Sequence, residues 1–192
     1  MENWKLKEIV VMSVLSVVFA VVYLAFLPVG KLLAGLFGPI GYDVIFGIWF
    51  IVSVIAAYII RKKGAAFLSE TIAATVEMLL GNAMGPILIL TGIIQGLGAE
   101  AAFAVTRYKS YNLAVLMLAG VGAAVFSFIW GYFRSGYAVF GTGYLVSMLI
   151  VRMISGALLS GLLGKAIGDA LAKTGVLTGF ALGKEQRRKK TA

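Results

Sequence analysis

Long apolar runs and short polar interruptions alternate along this chain. Six runs stand out, at residues 9–29, 42–60, 65–80, 87–106, 113–133 and 144–167. A helix needs about 20 residues, rising ~1.5 Å each, to cross the hydrocarbon core of a bilayer. Five runs meet that length. The third is shorter and carries two glutamates, so it reads as a polar span shielded by its neighbours. Backbone groups in lipid must find their hydrogen bonds within the segment, which makes each run a helix. The pattern predicts an all-α integral membrane protein with six transmembrane helices in one bundle. Residues 1–192 form a single membrane domain, with a basic tail over 168–192. The first run is too long for a signal-peptide core and no clean small-x-small cleavage site follows it, so it reads as structure.

The cations orient the bundle. With the N-terminus inside, 14 of the 17 Lys and Arg fall on cytoplasmic segments, only Lys31 and Arg134 on outer loops, and Arg152 within the sixth span. That asymmetry is the positive-inside signal, so both termini are expected in the cytoplasm. The basic stretch 183–190 reads as a topology anchor beside anionic lipid rather than as a nucleic-acid site. Two outer connections are unusual. Residues 30–41 (GKLLAGLFGPIG) are too apolar for a free loop and too short to span, which predicts an interfacial or re-entrant lid. Residues 134–143 (RSGYAVFGTG) suit either a mobile cover or an ordinary membrane-surface loop.

Composition narrows the function. The chain is 61% apolar and 13% charged, against roughly 45–50% and about 25% in soluble domains. It has neither cysteine nor histidine, so disulfides, thiolate metal sites and the usual general base near pH 7 are excluded. No cofactor is expected, and no nucleophile–base set suggests an enzyme. Gly164–Lys165 resembles part of a phosphate loop, but Leu159 stands where the upstream glycine is required and Ala166 replaces the Ser/Thr. Small residues recur every fourth position at Gly156, Ser160, Gly164 and Gly168, at Gly92 and Gly96, at Gly120 and Ala124, and at Ser16 and Ala20. This spacing lets helix backbones approach closely, within the chain or against a partner.

The informative residues are the polar ones inside the spans: Asp43, Glu70, Glu77, Gln95, Glu100 and Arg152. A charge near the bilayer centre costs ~2.5–3.5 kcal/mol on insertion scales and usually marks a site or a pathway. Glu70 and Glu77 are seven residues apart and share a helix face, about 10 Å apart along the axis. From the outer helix ends, Glu77 lies about 4 Å deep, Gln95 and Arg152 about 12 Å, Glu70 about 15 Å and Glu100 about 20 Å. Arg152 is expected to pair with Glu70 or Glu100, which leaves an excess of acid. An outer pocket lined by Glu77, Asn82 and Gln95 favours a cation or a donor-rich heterocycle. Trp130 and Tyr144 lie at the same level, either as site residues or in an interfacial aromatic belt.

The segment 69–100, SETIAATVEMLLGNAMGPILILTGIIQGLGAE, joins two glutamates, an Asn-x-x-Gly-Pro turn and a Gln-Gly-x-Gly-x-Glu run. It resembles the YkoE-type substrate-binding (S) components of energy-coupling factor (ECF) transporters, assigned to thiamine and its hydroxymethylpyrimidine precursor, and the likeness extends over the whole chain. The resemblance implies a multi-pass protein of the bacterial cell membrane that captures the vitamin outside. It implies delivery with a transmembrane T component and two cytoplasmic ATPases, by toppling in the bilayer. Many S components dock through Ala-x-x-x-Ala on the first helix; here Ser16-x-x-x-Ala20 is the nearest match. Substrate-binding candidates are Glu77, Gln95, Asn82, Glu70, Glu100, Trp130 and Tyr144. Competing readings are a stand-alone proton-coupled transporter of a cationic or heterocyclic small molecule, relaying through Glu70, Glu77 and Glu100, and a non-transporting scaffold.

Overall fold

The computed structural model describes residues 3–190, so residues 191 and 192 of the tail lie outside the described residues. Four helices are long and apolar enough to cross a membrane: Leu6–Phe37, Ile87–Val105, Leu113–Arg134 and Thr142–Lys173. We call the first α1. Pro28 sits inside it, where a backbone donor is missing. Its 32 residues carry it past the expected end of the first span. The anticipated re-entrant loop at 30–41 is instead mostly helix. The chain turns only at Gly38, whose φ of 74° suits glycine, before the short helix α2 (Ile40–Val44).

The second apolar run is not one helix. After α2 the backbone tightens into a 3-10 segment, Phe46–Phe50, and then continues as α3 (Ile51–Ile60). Side chains from elsewhere meet the amides freed at this break. Gly47 N–H donates to Ser155 Oγ at 2.9 Å, and Val52 N–H donates to the Tyr23 hydroxyl at 3.2 Å. Irregular backbone at membrane depth persists only when neighbours satisfy it in this way. All of α3 is buried, so this run crosses the middle of the bundle.

α4 (Ala65–Leu79) follows a tight turn, and α5 (Ile87–Val105) and α6 (Leu113–Arg134) complete the centre. The last long rod comprises α7 (Thr142–Ser155), a π-helical stretch (Gly156–Leu163) and α8 (Gly164–Lys173). Glycines set the helix spacing. A Cβ on Gly98 would strike the Gly122 carbonyl and one on Gly122 the Gly98 carbonyl; Gly120 and Gly156 oppose each other likewise. Gly92 and Gly96 rest on the backbone of α4. These small-residue seams close helices of the same chain on one another. Asn112 caps α6, accepting from Val115 N–H at 3.0 Å.

The end bearing the termini is tied by charge. Lys62 pairs with Glu8 at 2.7 Å, and Arg61 and Lys189 both meet Glu185. Asp169 takes Lys165, the Tyr58 hydroxyl and Gln186. The final helix α9 (Ala181–Lys190) folds back here, with its own Leu182 and the preceding Leu177 and Phe180 buried. α3 and α4 fall short of an independent span by length or polarity, so four of the six predicted spans stand as such among the described residues.

Candidate functional site

A cavity of about 390 Å³ opens near the end opposite the termini. Its polar groups come from segments that the sequence kept together. Glu70 and Glu77, two turns apart on α4, both reach it. Asn82 reaches it from the turn after α4, which Gly81 (φ 98°) and Gly85 (φ 59°) make possible. Gln95 enters from α5.

Each polar group is oriented by a neutral neighbour. The Tyr23 hydroxyl donates to Glu70 Oε2 at 3.2 Å. Asn82 Nδ2 donates to Glu77 Oε1 at 2.6 Å, and Met84 N–H fixes the Asn82 carbonyl oxygen at 2.9 Å. Gln95 Nε2 donates to Ser127 Oγ at 3.3 Å. Glu70 and Glu77 are 1% and 3% exposed. Among the described residues no cation pairs with either, since every ion pair lies elsewhere. Two buried carboxylates in one chamber without a counter-ion are a costly arrangement, which a ligand with positive or donor-rich character relieves.

The broken second run supplies an aromatic wall. Tyr42 and Phe46 flank Trp49, with ring centroids 5.5 and 5.7 Å from it, and Trp49 Nε1 donates to the Tyr23 carbonyl at 3.1 Å. Tyr23 thus holds Glu70, Trp49 and the amide of Val52 at once. Lys31 and Arg134, both exposed, also line the cavity. The chamber therefore runs from an acidic, aromatic interior to basic side chains exposed to solvent.

Several anticipated residues sit elsewhere. Arg152 pairs with neither Glu70 nor Glu100 but with Asp43, its Nε and Nη2 both 2.6 Å from Oδ1. The short α2 packs on α7 and holds Asp43 fully buried. Glu100 lies toward the termini and accepts from the amides of Gly64, Ala66 and Phe67 at 2.6, 3.0 and 3.1 Å, capping α4. Trp130 donates to Thr91 Oγ1 at 3.0 Å and lines a separate apolar groove with Phe126 and Phe133. Tyr144 is outside the cavity lining and accepts from Ile40 N–H at 3.1 Å. Ser16 and Ala20, expected on a docking face, are both 0% exposed, with Ser16 Oγ donating to the Ser69 carbonyl at 2.8 Å. They pack α1 on α4 and present no surface to a partner.

Tyr23, Tyr42 and Phe46 were missed because aromatic residues in apolar runs look like core. Tyr23 was the most accessible clue, being a hydroxyl at mid-span that needs a partner.

Four helices able to cross a membrane and a cavity lined by buried polar groups define a membrane-protein fold with a small-molecule-sized chamber. Residues 7–126 match the family described as "ABC-type cobalt transport system, permease component". A relative from Bacillus subtilis (strain 168), provisionally named HMP/thiamine permease protein YkoE, is 65% identical over 190 residues, covering 99% of this chain and 96% of the relative. A solved structure described as an S-component of ECF transporter superposes with a TM-score of 0.96 at 65% identity, covering 98% of this chain and 96% of that one. The chain belongs to the YkoE-type family of S components of ECF transporters, and is a transport protein of the bacterial membrane rather than an enzyme. The cobalt of the family description has no obvious ligand set here. The chain lacks His and Cys, and no group of three or more acidic residues is placed to hold a metal among the described residues.

Proposed function

We propose that this S component captures thiamine or hydroxymethylpyrimidine from outside the cell and delivers it with a T component and two cytoplasmic ATPases. The observation that carries the reading is the pair Glu70 and Glu77, buried in one cavity with only neutral partners. An aminopyrimidine offers an exocyclic amine and ring nitrogens that Glu, Asn and Gln side chains match, and a thiazolium brings the missing positive charge. The Tyr42–Trp49–Phe46 wall suits a flat or cationic ring. A volume of about 390 Å³ is within the range of small-molecule sites. Arg134 and Lys31 repel a cation at their own level, which favours placing the ligand's positive end deep, beside the carboxylates.

The topology follows from the same reading. The chain makes six passes with both termini in the cytoplasm, α3 and α4 crossing under the cover of their neighbours, and the cavity opens outward. The proton-relay alternative has less support, because Glu100 is tied to three backbone amides away from the cavity. The T component docks on a surface other than Ser16 and Ala20.

Calorimetry on the purified protein tests the reading. Thiamine or hydroxymethylpyrimidine should bind reversibly, and Glu77→Ala or Gln95→Ala should weaken binding at least tenfold, about 1.4 kcal/mol. Absence of heat and of thermal stabilisation with every thiamine-related compound overturns it.

A further inference from the structure

Two segments cover the cavity from the side away from the termini. One runs from Gly38 through α2 into the break and contributes Pro39, Tyr42 and Phe46 to the lining. The other joins α6 to α7 and contributes Tyr137, from a 3-10 turn at Tyr137–Val139. Neither segment is long enough to hold its shape alone. Both converge on one buried guanidinium.

Arg152 is 1% exposed and is not part of the cavity lining. Its fork grips Asp43 of the first segment, and Nη2 also donates to the Tyr137 hydroxyl of the second at 3.1 Å. The guanidinium lies 3.8 Å from the Phe46 ring centroid and 5.9 Å from that of Tyr137. One turn along α7, Ser155 accepts from Gly47 N–H, which fixes the first segment a second time. Ile40 N–H also donates to the Tyr144 hydroxyl, which ties the first segment to the start of α7. Arginine suits this place because a planar fork serves several acceptors and stacks on rings, which an ammonium does not do.

We infer that Arg152 is a positioning residue for ligand capture, joining the two outer segments into one cover through Asp43, Phe46 and Tyr137. It sets how long the ligand stays without touching it. The binding arm of the test rests on the reading of the cavity as the ligand site; the exchange arm does not.

Amide hydrogen exchange on the ligand-free full chain reads the cover itself. Arg152→Lys should speed exchange at 38–46 and at 135–143 together, whereas Tyr137→Phe should speed only 135–143. Stopped-flow release of thiamine, followed by tryptophan fluorescence, reads the consequence. Tyr137→Phe should release about fivefold faster, the worth of one hydrogen bond. The double variant should release no faster than Arg152→Lys alone, within about twofold. Independent multiplication of the two effects, or release by Tyr137→Phe at the wild-type rate, overturns the inference, and so does exchange that changes in one segment only for Arg152→Lys. If Arg152→Lys does not fold, Tyr137→Phe still decides by its release rate and exchange. If wild-type protein binds no thiamine-related compound, the proposed function fails while the exchange result still judges the cover.

Discussion

The two ends of this bundle treat acidic side chains in opposite ways. At the end bearing the termini, every described carboxylate is compensated: Glu8 by Lys62, Asp169 by Lys165, Glu185 by Arg61 and Lys189, and Glu100 by three backbone amides. At the cavity end Asp43 is matched by Arg152, but Glu70 and Glu77 meet neutral groups: the Tyr23 phenol and the Ser53 backbone amide at Glu70, and the Asn82 side chain at Glu77. The difference separates acids that hold the structure from acids kept available. Burial does not distinguish them, since Asp43 and Glu70 are both hidden. The identity of the neighbour does.

That contrast is breakable by substitution. The largest effect is expected at Asp43, an acid of the cavity end that belongs with the structural set. Asp43→Ala leaves a buried guanidinium without its partner and should destabilise the protein by about 3–5 kcal/mol, seen as a large fall in melting temperature. Glu100→Gln should come next. It weakens the cap on α4 and should lower stability by about 1–3 kcal/mol, while thiamine affinity measured on the folded fraction stays within about twofold. Equal loss of affinity in Glu100→Gln and Glu77→Gln would erase the distinction between the ends.

The smallest effect concerns Glu185, outside the spanning segments. The hydrogen bond from Lys189, joined by Arg61, holds its carboxyl below the ordinary glutamate range against the opposing effect of partial burial. A depressed folded value means that its contribution is present above the unfolded pKa of about 4.3 and disappears as pH falls through the folded value. The pair is partly exposed, so the gain is about 0.2–1 kcal/mol. Melting of wild type and Glu185→Gln should differ slightly at pH 7 and converge in acid. A difference that grows on acidification contradicts this sign.

Much of the arrangement was legible in the hydrophobic pattern. The four long helices each follow one of the runs, and the first and last extend beyond theirs, because span length and polar interruption are local properties. Glu77, Asn82 and Gln95, expected at one outer pocket, line one cavity, and Glu70, expected as a candidate partner of Arg152, lines it with them. The break in the second run was hidden, because α3 is apolar on all sides and the groups that hold the break, Tyr23 and Ser155, are distant in sequence. The Asp43–Arg152 pair spans 109 positions, so only packing reveals it. The docking role expected of Ser16 and Ala20 rests on the resemblance to an Ala-x-x-x-Ala motif, and the almost uniform apolar character of α1 gives no sign of which side turns inward. Trp130 illustrates the same limit, since depth was readable and facing was not.

The central claim is that Glu70 and Glu77 are kept for a ligand and not for the fold. The direct test measures two quantities on one variant, Glu70→Gln/Glu77→Gln: the thiamine dissociation constant and the melting temperature without ligand. The account predicts affinity weakened by at least about a hundredfold, about 2.7 kcal/mol, with the ligand-free melting temperature unchanged or raised, because two buried acids without a cationic partner have been removed. A lowered melting temperature with affinity intact would show that these acids hold helices together, and would contradict it.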